Sequence, residues 1–293
     1  MILTNTKECR EAYREILQGS SFIPEHNIFL KHFTESDLGD LEYLYQECAR
    51  SIEDKGIEKE KDKLKFLNEQ GHWTEDEENS YIEAKLAVQD AYEFKRKLVD
   101  PEQAKNFESV IEEQEKNLKE ISDSRHAMVY PTLESYCDKK MNEHYVRLSL
   151  FKNKDLTDPL LTEKEFEDLS FVELNKLIVM YNSVSLKFDQ KNIDRVAVNS
   201  FFLNAFMMSN NDPVKFYGKS VLELTLYQMS IFNKGKYYKS ILEEGKDPPN
   251  SMYEMIDQNG LDPIVNWFDT SYNQIRNERE RQAMQARSQA RRR

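Results

Sequence analysis

The most apolar stretch of the chain is also the one that most limits how it can fold. Between residues 196 and 208 the only polar residues are Asn199, Ser200 and Asn204. A helix of this composition is apolar on nearly every face, so other elements have to surround it. Its uncharged run covers residues 196–211, whereas a bilayer span needs about 20 residues. We therefore predict one central helix over 189–209 in the middle of a helical core.

The remaining local signals predict an all-α fold. The 293 residues include only 8 glycines and 8 prolines, which favours long helices with few turns. Helix starts are marked by a Ser or Thr followed three residues later by Glu, the capping-box pattern, at Thr74, Thr162, Ser170 and Ser220. The Ser220 box is expected to open a helix that reaches Leu242. No alternating strand pattern of useful length appears, and we expect a loop through Pro24.

A heptad seam is the main feature of the first half. Its apolar members, which are also the candidate residues for a helical interface, are Phe107, Ile111, Leu118, Ile121 and Met128. Gln114 and Arg125 occupy two further seam positions, where they weaken pairing and could fix register or partner. Pro131 should kink or restart the helix. We expect a long helical hairpin or three-helix unit over 75–152.

Charge divides the chain into three predicted regions. Residues 1–160 carry a net charge of −12, residues 161–275 carry −5, and residues 276–293 carry +5. Together with the domain boundary that Asp158-Pro159 indicates, this predicts an acidic helical arm region, a compact helical core domain and an Arg-rich tail. The acidic body should repel nucleic acid broadly, so a polyanion could be bound only by the tail.

The tail supplies the candidate contact residues, which are all arginines: Arg276, Arg279, Arg281, Arg287, Arg291, Arg292 and Arg293. Arginine binds phosphate in a bidentate manner, but without aromatic residues the tail has no stacking platform for sequence-specific readout. Three interpretations stay equally weighted: nonspecific nucleic-acid contact, docking onto an acidic protein surface, and no role.

No motif for catalysis is recognised. The two acid-x-x-His pairs, at Glu69/His72 and Asp123/His126, have helical spacing for a di-metal site but lack further inward carboxylates. Phosphate-binding glycine loops and nucleophile elbows are absent from the sequence. We expect no enzymatic activity, no cofactor and no metal. A metal-dependent helical enzyme remains the third hypothesis.

Three widely spaced cysteines are typical of a reducing compartment, and the first residues do not resemble a signal peptide. The expected location is therefore the cytoplasm, with no membrane association. If the protein is viral, that means the host cytoplasm or the virion.

One stretch in the second half carries a family likeness. It reads Asp212-Pro213-Val214-Lys215-Phe216-Tyr217-Gly218-Lys219-Ser220 and continues with Leu224-Thr225-Leu226-Tyr227-Gln228. With the acidic helical region before it and the basic end, it resembles helical proteins encoded among the structural genes of tailed bacteriophages. The resemblance implies a virion component or an assembly factor without enzymatic activity. The first hypothesis is thus a structural or adaptor protein that acts by self-association or through protein partners. The alternative is a nucleic-acid-associated protein that binds through its tail.

Overall fold

The computed structural model describes residues 2–98 and 101–290. Helices make up 73% of the chain, which confirms a mostly helical protein. The α-helices, in chain order, are α1 (Thr6–Gln18), α2 (Glu35–Glu53), α3 (Glu60–Glu69), α4 (Glu75–Lys97), α5 (Pro101–Asn106), α6 (Glu108–Val129), α7 (Leu133–Ser149), α8 (Glu163–Glu167), α9 (Phe171–Ser185), α10 (Gln190–Ala197), α11 (Ser200–Met208), α12 (Pro213–Tyr217), α13 (Leu226–Leu242), α14 (Asn250–Glu254), α15 (Ile256–Asn259) and α16 (Asp262–Ala290). The strands are β1 (Ser20–Ile23), β2 (Ile28–Lys31) and β3 (Leu150–Phe151).

The described residues form two compact units, each built from two separate segments. The first contains the chain up to Glu47 and Lys139–Val265, and the second contains Cys48–Asp138 and the chain from Asn266 onward. Helices α2, α7 and α16 include the points where one unit ends and the other begins. The predicted boundaries near residues 160 and 275 stay predictions.

A small antiparallel sheet lies in the first unit, where a loop was expected. β2 is the middle strand, with Ser21 opposite Leu30 and Ile23 opposite Ile28 on one side, and Leu30 opposite Leu150 on the other. These strands are only two to four residues long, too short for alternation to reveal them in the sequence. Pro24 lies in the turn between β1 and β2, so the loop prediction holds there, but the strands on both sides of the turn were not predicted.

The predicted central helix is two helices. Asn199 adopts an extended backbone conformation (φ −74°, ψ 143°) between α10 and α11. Its side-chain amide donates a hydrogen bond of 2.7 Å to the carbonyl oxygen of Arg195, as expected of an Asn that competes for backbone groups. The prediction of one continuous helix was thus wrong. The predicted burial of this stretch is confirmed for Val196, Phe202 and Phe206, whereas Met208 at the end of α11 is 87% exposed.

The capping boxes mark helix starts at Thr74, Thr162 and Ser170 as predicted. The box at Ser220 is also present, but it opens only the 3-10 turn Val221–Glu223. A second box, between Thr225 and Gln228, starts α13. The prediction that one helix runs from Ser220 to Leu242 was wrong because Leu224 is extended (φ −75°, ψ 136°).

In the second unit α4 and α6 pack against each other in antiparallel orientation. Tyr92 Oη donates to Glu115 Oε1 at 2.6 Å at one end, and at the other Arg125 Nε donates to Glu78 Oε2 at 2.8 Å. Arg125 also binds Glu60 of α3. The seam arginine therefore joins three helices. As Pro131 predicted, α6 ends before it and α7 begins after it.

Candidate protein-interaction surface

Helix α9 has an unusual combination of composition and burial. Ser170 caps it, because its hydroxyl accepts the backbone N–H of Glu173 while the Glu173 carboxylate accepts the N–H of Ser170. The following residues are mainly aliphatic or aromatic, yet none of the side chains of α9 is fully buried. A helix that is apolar on several faces normally lies inside a protein, so α9 has apolar surface that its own chain does not cover.

One side of α9 packs onto the small sheet. Leu177, Ile178, Met180, Tyr181 and Val184 pack against a buried cluster of the first unit. The members of that cluster come from β1, β2, α7 and β3: Ile23, Ile28, Leu30, Val146 and Leu150. The inward side chains are thus half-buried and hold α9 in a fixed orientation.

The opposite side of α9 is exposed and apolar along its centre. Val172 and Val179 are each 61% exposed, and Leu186, in the turn that follows α9, is 53% exposed. Polar residues flank this row, all of them exposed: Asn175, Lys176, Asn182 and Ser183. We call these seven residues the α9 face. Phe171, which is 75% exposed, extends the apolar surface at the start of the helix.

A shallow groove runs beside the α9 face. Its volume is about 520 Å³, and it lies between α9 and the turn that joins β1 to β2. The lining residues are Ile23, Glu25, His26, Asn175, Lys176, Val179, Met180 and Ser183. Three of these eight residues are apolar, and the other five are polar or charged.

The α9 face carries one ionisable side chain, Lys176. The nearest carboxylate in sequence, Glu173, is turned toward the helix start, where Ser170 holds it with hydrogen bonds to the Oε2 atom from Oγ at 2.6 Å and from the backbone N–H at 3.0 Å. The hydrogen bond from the Ser170 side chain and then that from its backbone lower the pKa of Glu173. The Glu173 carboxylate is thus engaged in capping, and the residue remains exposed.

The seam residues predicted as an interface are placed mostly between the helices of the second unit. Ile111 is buried, Ile121 packs on the cluster of Leu67, Trp73 and Val129, and the Phe107 ring lies 5.0 Å from that of Phe94. Leu118 is half-buried.

The last residue of the predicted seam is more exposed than the others. Met128 is 50% exposed, and Val129 is buried instead. Contact of these residues with another chain stays a prediction.

The arginines of the predicted tail belong to α16 as far as the structure describes them. Arg276 Nε lies 3.8 Å from Glu280 Oε1, one helical turn away. Arg279 interacts with another residue of the chain, and Arg281 is exposed. The side chain of Arg287 and the residues Arg291, Arg292 and Arg293 lie outside the described part, as does Asp100.

The structure brings no candidate ligand set together. Among residues 2–98 and 101–290, no three His, Cys, Asp or Glu residues are grouped so that they could hold a metal ion. His126 instead stacks on Tyr130, with 4.6 Å between ring centres. A second groove of about 780 Å³ lies beside residues 2–7 and contains Arg195, whose charge is neutralised by a bidentate pair with Asp262 at 2.6 and 2.9 Å.

None of the described helices has the length and the hydrophobicity that a transmembrane span requires. Comparison of the chain with protein-family models, curated proteins and solved structures finds no match.

The capping box at Ser170 predicted α9 as a helix, but its exposed side was not predicted as a surface. The signal that could have revealed it is the recurrence of Val172, Val179 and Leu186 at intervals of seven residues. This spacing places three apolar residues on one side of a helix. Because the opposite side of α9 is more apolar still, a simple measure of amphipathicity does not single out this row.

Proposed function

We propose that this chain is a non-enzymatic structural or assembly protein that binds other protein chains through the α9 face. The observation that carries the proposal is a helix rich in apolar residues in which no side chain is fully buried and one side stays exposed. Exposed apolar surface of this kind marks interaction sites. The likeness to structural proteins of tailed bacteriophages makes a virion component, or a factor of head or tail assembly, the specific setting of the proposal.

The proposed architecture follows the charge partition. An acidic helical arm region over 1–160 would include the strands on which α9 packs, the core domain over 161–275 would carry the α9 face, and the Arg-rich tail over 276–293 would add a secondary contact. The acidic net charge of −12 limits nonspecific association, so apolar patches such as the α9 face would determine which chains bind.

Photo-crosslinking tests the proposal. A benzophenone amino acid at position 179 should give discrete adducts with a protein chain, either a second copy or a different protein from the native host. The same group at Leu222, which is 83% exposed in the turn before α13, serves as the matched control and should give none. If position 179 gives no adduct above this control, and the purified chain is monomeric, the proposal is wrong.

A second candidate function is nucleic-acid binding through the tail. The observation that favours it is that α16 continues as one helix to Ala290, with Arg281 exposed along it. Replacing Arg279, Arg281 and Arg287 with Gln should then reduce DNA retention and flatten its salt dependence, because fewer counterions are released. Equal retention of both proteins at every salt concentration would exclude this function.

A further inference from the structure

We propose that Cys48 and Cys137 form a redox-sensitive pair. Their thiols would close to an intramolecular disulfide when the chain meets hydrogen peroxide and reopen when it meets a dithiol reductant. The bond would join α2 to the start of α7 inside the second unit. This inference is independent of the proposed function, because neither cysteine belongs to the α9 face.

The backbone of the second unit brings the two cysteine-bearing segments together. The unit begins at Cys48, near the end of α2, and this part of it continues to Asp138, near the start of α7. The N–H of Leu133, the first residue of α7, donates to the carbonyl oxygen of Glu58 at 2.9 Å. In addition, the backbone N–H of Glu60 donates to Glu134 Oε2 at 2.8 Å. The start of α7 is therefore fixed beside the segment that follows α2.

Each cysteine lies one helical turn from a buried aliphatic residue. Ile52, four residues after Cys48, is 3% exposed, and Leu133, four residues before Cys137, is 4% exposed. Residues four apart lie on the same face of a helix. The inner face of each helix thus carries one cysteine and one aliphatic residue, in the opposite order along the chain, which suits two helices that run in opposite directions.

The two cysteine side chains meet as free thiols. The thiol of Cys137 donates a hydrogen bond to Cys48 Sγ. Burial and then this hydrogen bond raise the pKa of Cys137, so its sulfur stays protonated at neutral pH. Cys137 is completely buried, whereas Cys48 is only half-buried. A small oxidant in solution therefore reaches the sulfur of Cys48 first.

The difference in exposure gives the two thiols different roles. Cys48 gives up its proton to water, and its sulfur attacks hydrogen peroxide: an S–O bond forms, the O–O bond breaks, and one oxygen leaves as water. The sulfur of Cys137 then displaces the hydroxyl group from Cys48, and that hydroxyl leaves with the Cys137 proton as a second water. The two thiols have together lost two electrons and two protons, and the peroxide has been reduced. Dithiothreitol reverses the bond by exchange and is itself oxidised to its cyclic disulfide.

The disulfide would stabilise the second unit. It closes a loop of about 90 residues, and closing a loop of this length restricts the unfolded chain strongly. The loop contains α3, α4 and α6. The oxidised protein should therefore unfold at least about 5 °C above the reduced protein.

Thiol counting and peptide mapping test the pair in the full chain. After treatment with hydrogen peroxide, the number of free thiols in the denatured protein should fall from 3 to one, while the chain stays a covalent monomer. Trypsin should then release residues 32–50 joined to residues 126–139, and dithiothreitol should separate them. Cys9 is buried and serves as the internal reference, because it should remain a thiol.

Two variants separate the roles of the cysteines. Cys48→Ser should keep both of its thiols in peroxide and should unfold at the same temperature before and after treatment. Because peroxide also oxidises exposed methionines, this variant is the matched control for the thermal shift. In Cys137→Ala the sulfenic acid on Cys48 has no thiol to react with, so dimedone should label Cys48 much more than in the wild-type protein. Circular dichroism checks that both variants are folded.

Several outcomes would overturn the inference. They are three thiols after peroxide treatment, a covalent dimer through Cys48, a disulfide that includes Cys9, and a Cys48–Cys137 bond that leaves the unfolding temperature unchanged. None of them affects the proposed function, which fails if position 179 yields no specific adduct with any protein. The two claims are thus tested separately.

Discussion

At the scale of single residues, His32 is the clearest case of a side chain whose environment fixes its protonation. It is buried against the rings of Phe188 and Tyr227, with ring centres 4.8 and 5.0 Å away. Ser21 Oγ donates to Glu15 Oε2 at 2.7 Å, so His32 Nε2, 2.9 Å from that oxygen, must be the donor. The other ring nitrogen, Nδ1, has no hydrogen-bond partner. The imidazole is therefore neutral.

This geometry predicts an acid-dependent loss of stability. Burial, together with the positive charge of Lys187, lowers the pKa of His32 from 6.5 to about 3. Between these values the unfolded chain binds a proton that the folded chain excludes, so the stability falls as pH decreases. From pH 7 to pH 5 this residue should cost about 2 kcal/mol. His32→Gln keeps an N–H donor for Ser21 and removes the titration, so urea denaturation should show a correspondingly smaller pH dependence.

His26→Gln is the matched control, since His26 lies exposed in the turn between β1 and β2. This variant should retain the pH dependence of the wild-type protein. Identical pH dependence of the wild-type protein and His32→Gln would show that His32 is not the group responsible.

At the scale of elements, the sequence predicted where helices begin more reliably than where they break. The capping boxes at Thr74, Thr162 and Ser170 are local, because a Ser or Thr and the Glu three residues later satisfy each other's backbone groups. The end of the 3-10 turn after Ser220 is fixed in part by neighbours far along the chain. For example, the N–H of Leu226 at the start of α13 donates to the carbonyl oxygen of Phe33 at 2.8 Å. Such contacts leave no mark in a local pattern.

The packing of α11 on α13 predicts a strong effect at Gly235. Glycine inside a helix costs about 1 kcal/mol relative to alanine, so its presence in α13 needs a reason. A methyl group there would lie 2.5 Å from the Cδ2 atom of Phe206, a ring that is completely buried. Gly235→Ala should therefore lower the free energy of unfolding by about 1–3 kcal/mol, measured by urea denaturation.

Gly39 provides the matched control in another helix. It lies in α2, where an added methyl group would meet nothing within 4 Å. Gly39→Ala should raise the free energy of unfolding by up to about 1 kcal/mol. A stabilising effect of Gly235→Ala would show that α11 and α13 are not packed this closely.

At the scale of the whole molecule, the units could not be predicted from the order of the sequence. Charge and turn signals change along the chain, whereas each unit joins segments that are far apart in it. The candidate surface was missed for a related reason. The heptad seam over residues 107–128 was the most regular apolar pattern in the sequence, but its members Ile111 and Ile121 pack within their own unit. Only the folded chain shows that the outer row of α9 stays uncovered.

The composition of the second unit gives a prediction about the C-terminal helix. Ile275 and Asn273 of α16 are buried, and the Asn273 side-chain amide donates to the carbonyl oxygen of Leu98 at 3.3 Å. A chain that ends at Val265 loses these contacts and should lose at least about 3 kcal/mol of stability. A chain that ends at Asn277 keeps them and removes most of the arginines.

The second truncation should therefore unfold within about 2 °C of the full chain, since a shift of this size corresponds to less than 1 kcal/mol. Thermal unfolding followed by circular dichroism measures both proteins. If both truncations melt like the full chain, residues 266–277 do not contribute to the second unit. If both lose stability, residues beyond Asn277 have a structural role, and a change in DNA retention could not then be assigned to their charge alone.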